Sequence, residues 1–221
     1  MEVEIRNRPS FANLLVKLKP GDRIIGEGDA MASMDTNVAF DTKMMGGFFK
    51  ALIRRVAGGE SLFVNEFYLE KGQEGELVLT QNVPGDLVEM EIPRDGIYLQ
   101  PSAFMACTGD VSLKTSWAGF KSWFAGEGLF RLLVTGHGKV WFGAFGGVMK
   151  KEVQGEYLVD TSHLVAYEPS LKMKIQLAGE GAFSSFFSGE GFVTRLEGNG
   201  IAYIQTRTIQ GLASWINPRL V

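Results

Sequence analysis

GIYLQPSAFMACTGDVSLK, which begins at Gly96, and GEYLVDTSHLVAYEPSLK, which begins at Gly155, read as two versions of one segment. Tyr98-Leu99 falls on Tyr157-Leu158, Ser102 on Ser162, Ala106 on Ala166, and Ser112-Leu113-Lys114 on Ser170-Leu171-Lys172. Further on, Gly126-Glu127-Gly128-Leu129-Phe130 meets Gly189-Glu190-Gly191-Phe192-Val193. Each is followed by an apolar run, a Gly-x-Gly turn and a second run, LFRLLVT-GHG-KVWFGAF and FVTRLE-GNG-IAYIQTR. A longer third version stands at the front. There Ala30-Met31-Ala32 answers Phe104-Met105-Ala106, and Gly59-Glu60-Ser61-Leu62-Phe63 answers the Gly-Glu element. Self-similarity in a fixed order indicates a triplicated chain.

Within each version the local code is β. Runs of four to eight residues rich in Val, Ile, Leu, Phe and Tyr end at glycine-containing turns, at the spacing of sandwiches and barrels. Val64, Phe67, Leu69, Leu77, Leu79, Leu132, Val134 and Trp141 are expected in strands. Glycine, at 28 of 221 residues, is about twice as frequent as usual, and tight hairpins that need positive φ account for it. Pro20, Pro84, Pro93, Pro101 and Pro169 are expected at strand edges or turns, because proline has no N–H to give a ladder.

One short amphipathic helix is expected near residues 43–57. Phe48, Phe49, Leu52, Ile53 and Val56 share a face there, Lys50, Arg54 and Arg55 lie opposite, and Gly58-Gly59 ends it. No glycine- or serine-rich linker separates the three versions. The expectation is an all-β chain, a β-sandwich built from three internal repeats with pseudo-threefold symmetry. It forms one compact domain, residues 1–221, with repeats at 1–92, 93–153 and 154–221.

Composition narrows the function. Forty-five per cent hydrophobic and 21% charged residues exclude a disordered chain, and a pI near 5.5 argues against nucleic acid as partner. The start, MEVEIRNRPSF, lacks the apolar core of a secretory signal, and no apolar run reaches the roughly 18 residues of a membrane span. A cytoplasmic protein is expected. Its single cysteine, Cys107, excludes both an intrachain disulfide and a cysteine metal cage.

No phosphate-binding loop, nucleophile elbow, zinc-protease helix or EF-hand loop is present. Cys107 and His163 as nucleophile and base are weighed against a buried core thiol and a hydrogen-bonded structural histidine, and the second reading is preferred. His137 sits in a Gly-x-Gly turn where the third version has Asn199, which fits a residue tolerating unusual φ better than a proton carrier. Glu60, Glu127 and Glu190 recur, and three carboxylates near a threefold axis can gather a hard cation. Backbone N–H acceptance in the Gly-Glu turn is the preferred role. Trp117, Trp123 and Trp141 are read as core or turn residues, because only Lys114 and Lys121 flank the first two as a phosphate track. No catalytic residue, metal or cofactor is expected.

Gly-Glu-Ser-Leu-Phe, Gly-Glu-Gly-Leu-Phe and the stretch Asp160-Thr161-Ser162-His163-Leu164-Val165-Ala166 resemble the family of bacterial and archaeal proteins related to the yeast "altered inheritance of mitochondria" protein 24. The resemblance runs from about Phe11 to Ile216. It implies three all-β units similar to the tryptophan RNA-binding attenuation protein, in pseudo-threefold arrangement. It implies no reaction. The mitochondrial member's association with inner-membrane organisation belongs to that member, and the attenuation protein's RNA and tryptophan binding belong to its ring of separate subunits.

The residues expected to carry function are apolar ones just before each Gly-Glu turn. Met44, Met45, Phe48, Phe49, Leu52 and Ile53 come from the first version, Trp117, Phe120, Trp123 and Phe124 from the second, and Phe183, Phe186 and Phe187 from the third. Threefold-related loops emerge at one end of a molecule and together exceed the apolar patch a monomer normally exposes. The expectation is a non-enzymatic binding or scaffold protein that self-associates, with a membrane surface or another protein as the other candidate partner. Against it stand loops that seal the β-core, and a small-molecule-binding or enzymatic sandwich with a pocket between repeats.

Overall fold

The computed structural model describes residues 1–44, 63–117, 130–177 and 192–219. They form seventeen antiparallel strands and one short helix, so the chain is all-β. In chain order the strands are β1 (Glu2–Arg6), β2 (Asn13–Leu18), β3 (Arg23–Glu27), β4 (Met31–Met34), β5 (Val38–Met44), β6 (Phe63–Leu69), β7 (Gly75–Thr80) and β8 (Leu87–Glu91). They continue as β9 (Ile97–Leu99), β10 (Phe104–Cys107), β11 (Asp110–Trp117), β12 (Phe130–His137), β13 (Lys139–Gly143), β14 (Val148–Asp160), β15 (Leu164–Tyr167), β16 (Lys172–Leu177) and β17 (Phe192–Gln205). The helix, α1, spans Ile209–Ile216.

Strand partners recur in a fixed pattern. β6 lies between β3 and β5, β12 between β9 and β11, and the first half of β17 between β14 and β16. The registers match as well. Asn65 is flanked by Gly26 and Thr42, Leu132 by Leu99 and Thr115, and Thr194 by Val159 and Ile175, the two flanking partners standing sixteen positions apart in the chain each time. A second pattern runs beside it: β7 lies between β2 and β4, β13 between β8 and β10, and the second half of β17 between β14 and β15. The register slips by one in β4 between Met31 and Ser33, in β10 between Phe104 and Ala106, and in β15 between Leu164 and Ala166. Such a bulge twists and bends a strand.

These bulges refine the sequence correspondence. Met31 and Ser33 hold the places of Phe104 and Ala106, one residue later than side-chain similarity indicates. In the same way Val159, not Leu158, holds the place of Leu99. Val159 and Leu99 are both buried, whereas Leu158 is 54% exposed. Burial overrides letter identity because a one-residue shift moves a side chain to the other face of a sheet.

The pairs build three sheets, β1-β2-β7-β4, β5-β6-β3-β10-β13-β8 and a seven-stranded sheet around β11-β12-β9-β15-β17-β14. Side chains between the first two sheets make one core, with Leu14, Leu18, Ile24, Phe67, Leu77, Leu79 and Trp141 fully buried. Between the second and third lie Ile97, Leu99, Leu132, Val134, Val140 and Phe142, and Val153, Val159, Leu164 and Leu196 fill the third. β10 serves two cores. Met105 and Ala106 belong to the first, Phe104 and Cys107 to the second.

The strand expectations hold for all eight named residues, seven of them buried and Leu69 half-buried. The five prolines stand outside strands, as their missing N–H requires. The expected helix near 43–57 is corrected at its start. Lys43 and Met44 are strand, paired with Val64 and Phe63, and residues 45–57 lie outside the described residues. The described helix is α1, capped by the Thr208 hydroxyl accepting from Gly211 N–H at 2.9 Å. Asn217-Pro218 follows it. No helix among the described residues is long and apolar enough to cross a membrane.

Candidate functional site

The candidate residues sit on the chain between paired strands, and the pairing shows how each stretch is held. The last described pair is Met44 with Phe63 in the first hairpin, Trp117 with Phe130 in the second and Leu177 with Phe192 in the third. Met44 and Trp117 therefore end strands β5 and β11. Met45, Phe48, Phe49, Leu52, Ile53, Phe120, Trp123, Phe124, Phe183, Phe186 and Phe187 lie outside the described residues, as do Glu60, Glu127 and Glu190.

Polar contacts brace each stem. In the first, Lys43 Nζ lies 2.7 Å and Arg23 Nη1 3.1 Å from Glu66 Oε2. The Lys43 hydrogen bond holds the Glu66 carboxyl below its ordinary value against the opposing cost of burial, with Arg23 adding to it. On the inner face Thr42 donates to buried Asn65 at 2.7 Å, and Asn65 donates to the Gly28 carbonyl at 3.1 Å. The third stem carries Lys174–Glu197 at 2.8 Å and Arg195–Glu156 at 2.9 Å, with the buried Thr194 hydroxyl donating to Thr161 at 3.0 Å.

The second stem differs. Arg131 lies with its guanidinium 4.0 Å over the Tyr98 ring and donates to the Tyr167 hydroxyl. Tyr98 and Tyr167 stack at 5.2 Å across the β9–β15 pair. Burial pushes the Tyr167 phenol up to about 12, although the Arg131 cation pulls the other way. The three side chains clamp β9, β12 and β15 together through cation–π, stacking and hydrogen-bond contacts. Sequence reasoning missed this cluster, because its members come from separate hairpins. The register places Tyr98 beside both Leu133 and Tyr167.

The residues weighed as nucleophile and base each have a structural setting. Cys107 is buried in the second core, and burial raises its thiol to about 12, far from a working thiolate. His163 Nδ1 lies 2.6 Å from the Gln205 carbonyl oxygen, so Nδ1 carries a proton and donates it there. His137 ends β12, exposed and paired with Asp110. Here the structure corrects the expectation of unusual φ at His137. Its neighbours Gly136 and Gly138 carry φ of 119° and 147°, and Gly198 carries 130° beside Asn199. Trp141 is a core residue whose Nε1 donates to Glu89 at 2.9 Å. Among the described residues no three His, Cys, Asp or Glu side chains gather as a metal site.

The family model described as mitochondrial biogenesis AIM24 matches residues 3–207. The chain is 28% identical to an uncharacterized protein of Streptococcus pyogenes serotype M6, over 96% of this chain and 88% of that one. It also matches the X-ray crystal structure of a Streptococcus pyogenes protein at a TM-score of 0.80 and 26% identity, with 99% of each chain covered.

Proposed function

The chain belongs to the mitochondrial biogenesis AIM24 family, and from that premise we propose a non-enzymatic binding or scaffold protein that works through apolar loops at one end of a triplicated β-core. The observation that carries this reading is the shared register of the three hairpins that bear the apolar stretches. Asn65, Leu132 and Thr194 each have their two neighbours at the same sixteen-residue spacing. Hairpins of one build, set side by side through the β3–β10 and β9–β15 junctions, present their connections on one side of the molecule. We take Phe48, Phe49, Trp123 and Phe186, which the sequence places in those connections, to supply one apolar surface that needs a cover. A second copy is the cover we favour. The basic flank Lys50, Arg54 and Arg55 makes an anionic membrane surface the other candidate. A cytoplasmic location fits the single, buried Cys107.

Replacing Phe48, Phe49, Trp123 and Phe186 together by serine tests the reading through folding, mass in solution and liposome binding. A folded variant that has lost assembly or vesicle binding supports it. A folded variant with both unchanged refutes it, and loss of folding alone places the loops in the core.

A further inference from the structure

Two junctions inside the chain show how one hairpin group joins the next. β3 takes β10 beside it, with Gly26 opposite Ala106 and Ile25 opposite Cys107. β9 takes β15, with Leu99 opposite Ala166 and Tyr98 opposite Tyr167. β4 is the third strand that bulges as β10 and β15 do. Residues 155–160 of β14 flank β17 as β3 flanks β6 and β9 flanks β12. Among the described residues neither of these two strands has a partner on its outer side. β4 ends the four-stranded sheet and β14 ends its own.

Exposure and packing follow the same division. β10 and β15 are buried at every position, whereas Met31, Ala32 and Ser33 are exposed. Ile25 reaches from β3 onto the core beneath β10, and Tyr98 reaches from β9 onto the core beneath β15. The core beneath β4, where Met34 is half-buried, receives no such side chain from the described residues. Leu158, on the open strand, is 54% exposed. Charge separates the two parts of β14. Lys150, Lys151 and Glu152 guard its first part, as solvent-facing edges usually are guarded. Tyr157, Leu158 and Val159 stand between only Glu156 and Asp160.

We infer that β4 of one copy pairs antiparallel with residues 155–160 of a second copy, head to tail, in the register of the two internal junctions. Val159 holds the place of Leu99, since the positive-φ glycines Gly198 and Gly136 each follow the facing residues, Thr194 and Leu132, by four positions. Ser33 then faces Val159, and Met34 faces Leu158, two apolar side chains meeting as Tyr98 meets Tyr167. The occupant is a second copy because each chain carries one strand of each kind, and the internal junctions are the template for their union. Backbone bonds supply the attraction and Leu158 the missing core contact. The contact is heterologous, so every copy added leaves one edge of each kind, and the assembly closes as a ring or grows as a filament. It is independent of the apolar loops.

Light scattering across a concentration series tests this with Leu158→Lys and Met34→Lys, each shown by circular dichroism to fold. The wild type is expected to assemble beyond the size either variant reaches alone, since each variant keeps only the association its apolar loops support. An equal mixture of the two is expected to regain one edge-to-edge pairing for every two chains and no more, since only one competent edge of each kind remains. A second measurement serves if a lysine variant fails to fold: Met34→Cys and Leu158→Cys chains, mixed under mild oxidation, are expected to crosslink in pairs. A monomeric wild type, assembly unchanged in folded lysine variants, no crosslink, or an intrachain disulfide when both cysteines share one chain would each overturn the inference.

Discussion

Ala166 on β15 lies opposite Leu99 on β9, just as Ala106 on β10 lies opposite Gly26 on β3. Alanine is the side chain that lets two hairpin groups share one sheet here, since both alanines are fully buried. β10 turns Met105 and Ala106 to one core and Phe104 and Cys107 to the next, so adjacent cores cannot come apart separately. Trp141→Ala should therefore cost about 3–5 kcal/mol. Its far-ultraviolet and near-ultraviolet unfolding curves should still coincide in a denaturant titration. Trp141→Phe should cost only about 1–2 kcal/mol, because Glu89 keeps Lys139 at 2.5 Å when the indole donor is lost. Two separated transitions would break the shared-core account.

Cys107 should resist alkylation at pH 8 in the folded protein and react at once in denaturant. Burial raises its folded value from 9.0 to about 12, so the native state keeps a proton that the unfolded chain gives up. Stability should be fully present below pH 9 and fall between pH 9 and 12, by up to about 1.4 kcal/mol per pH unit. Cys107→Ala should remove that part of the alkaline loss. Equal slopes in the two proteins between pH 9 and 10 would contradict the burial.

Gly136 and Gly155 both have positive φ, 119° and 89°, but different surroundings. A Cβ on Gly136 would stand 2.0 Å from the Asp110 carbonyl oxygen, whereas one on Gly155 meets nothing within 4 Å. Gly155→Ala should cost about 1 kcal/mol, the backbone strain alone. Gly136→Ala should cost at least about 3 kcal/mol, because backbone must move as well. Thermal melts of the two variants check the order.

Glu66 braces the first stem through Lys43 and Arg23, and its carboxyl titrates below the ordinary value. A depressed carboxyl adds stability above the unfolded value, near 4.5, and loses it as pH falls through the folded one. Glu66→Gln should cost under about 1 kcal/mol at pH 7, since both cations are exposed. The gap should narrow as pH falls below 4.5 and shrink in 1 M salt. A gap that is independent of pH would point to packing instead.

The all-β architecture was legible because period-two apolar runs and turn glycines are local signals, as in LFRLLVT-GHG-KVWFGAF. Register was less so. Tyr157-Leu158 matches Tyr98-Leu99 letter for letter, yet the sheet sets Val159 opposite Thr194 as it sets Leu99 opposite Leu132, because faces are decided by burial and not by residue type. The Arg131–Tyr98–Tyr167 clamp could not be read at all, since only the β9–β15 junction brings its parts together. α1 was readable and missed. Thr208 offers a cap, Ile209, Leu212 and Ile216 repeat at helical spacing, and Asn217-Pro218 stops it.

The most direct measurement of the central claim uses the silence of Cys107. An environment-sensitive maleimide dye placed on Trp123→Cys, and in separate proteins on Phe49→Cys and Phe186→Cys, reports what covers each loop. Water-like emission is expected from all three sites in the dilute monomer. Emission should shift to the apolar range as the protein assembles or meets anionic vesicles. Apolar emission already present in the monomer would place the loops inside the core. Water-like emission at every concentration and with every vesicle would show that nothing covers them; either result would contradict the account.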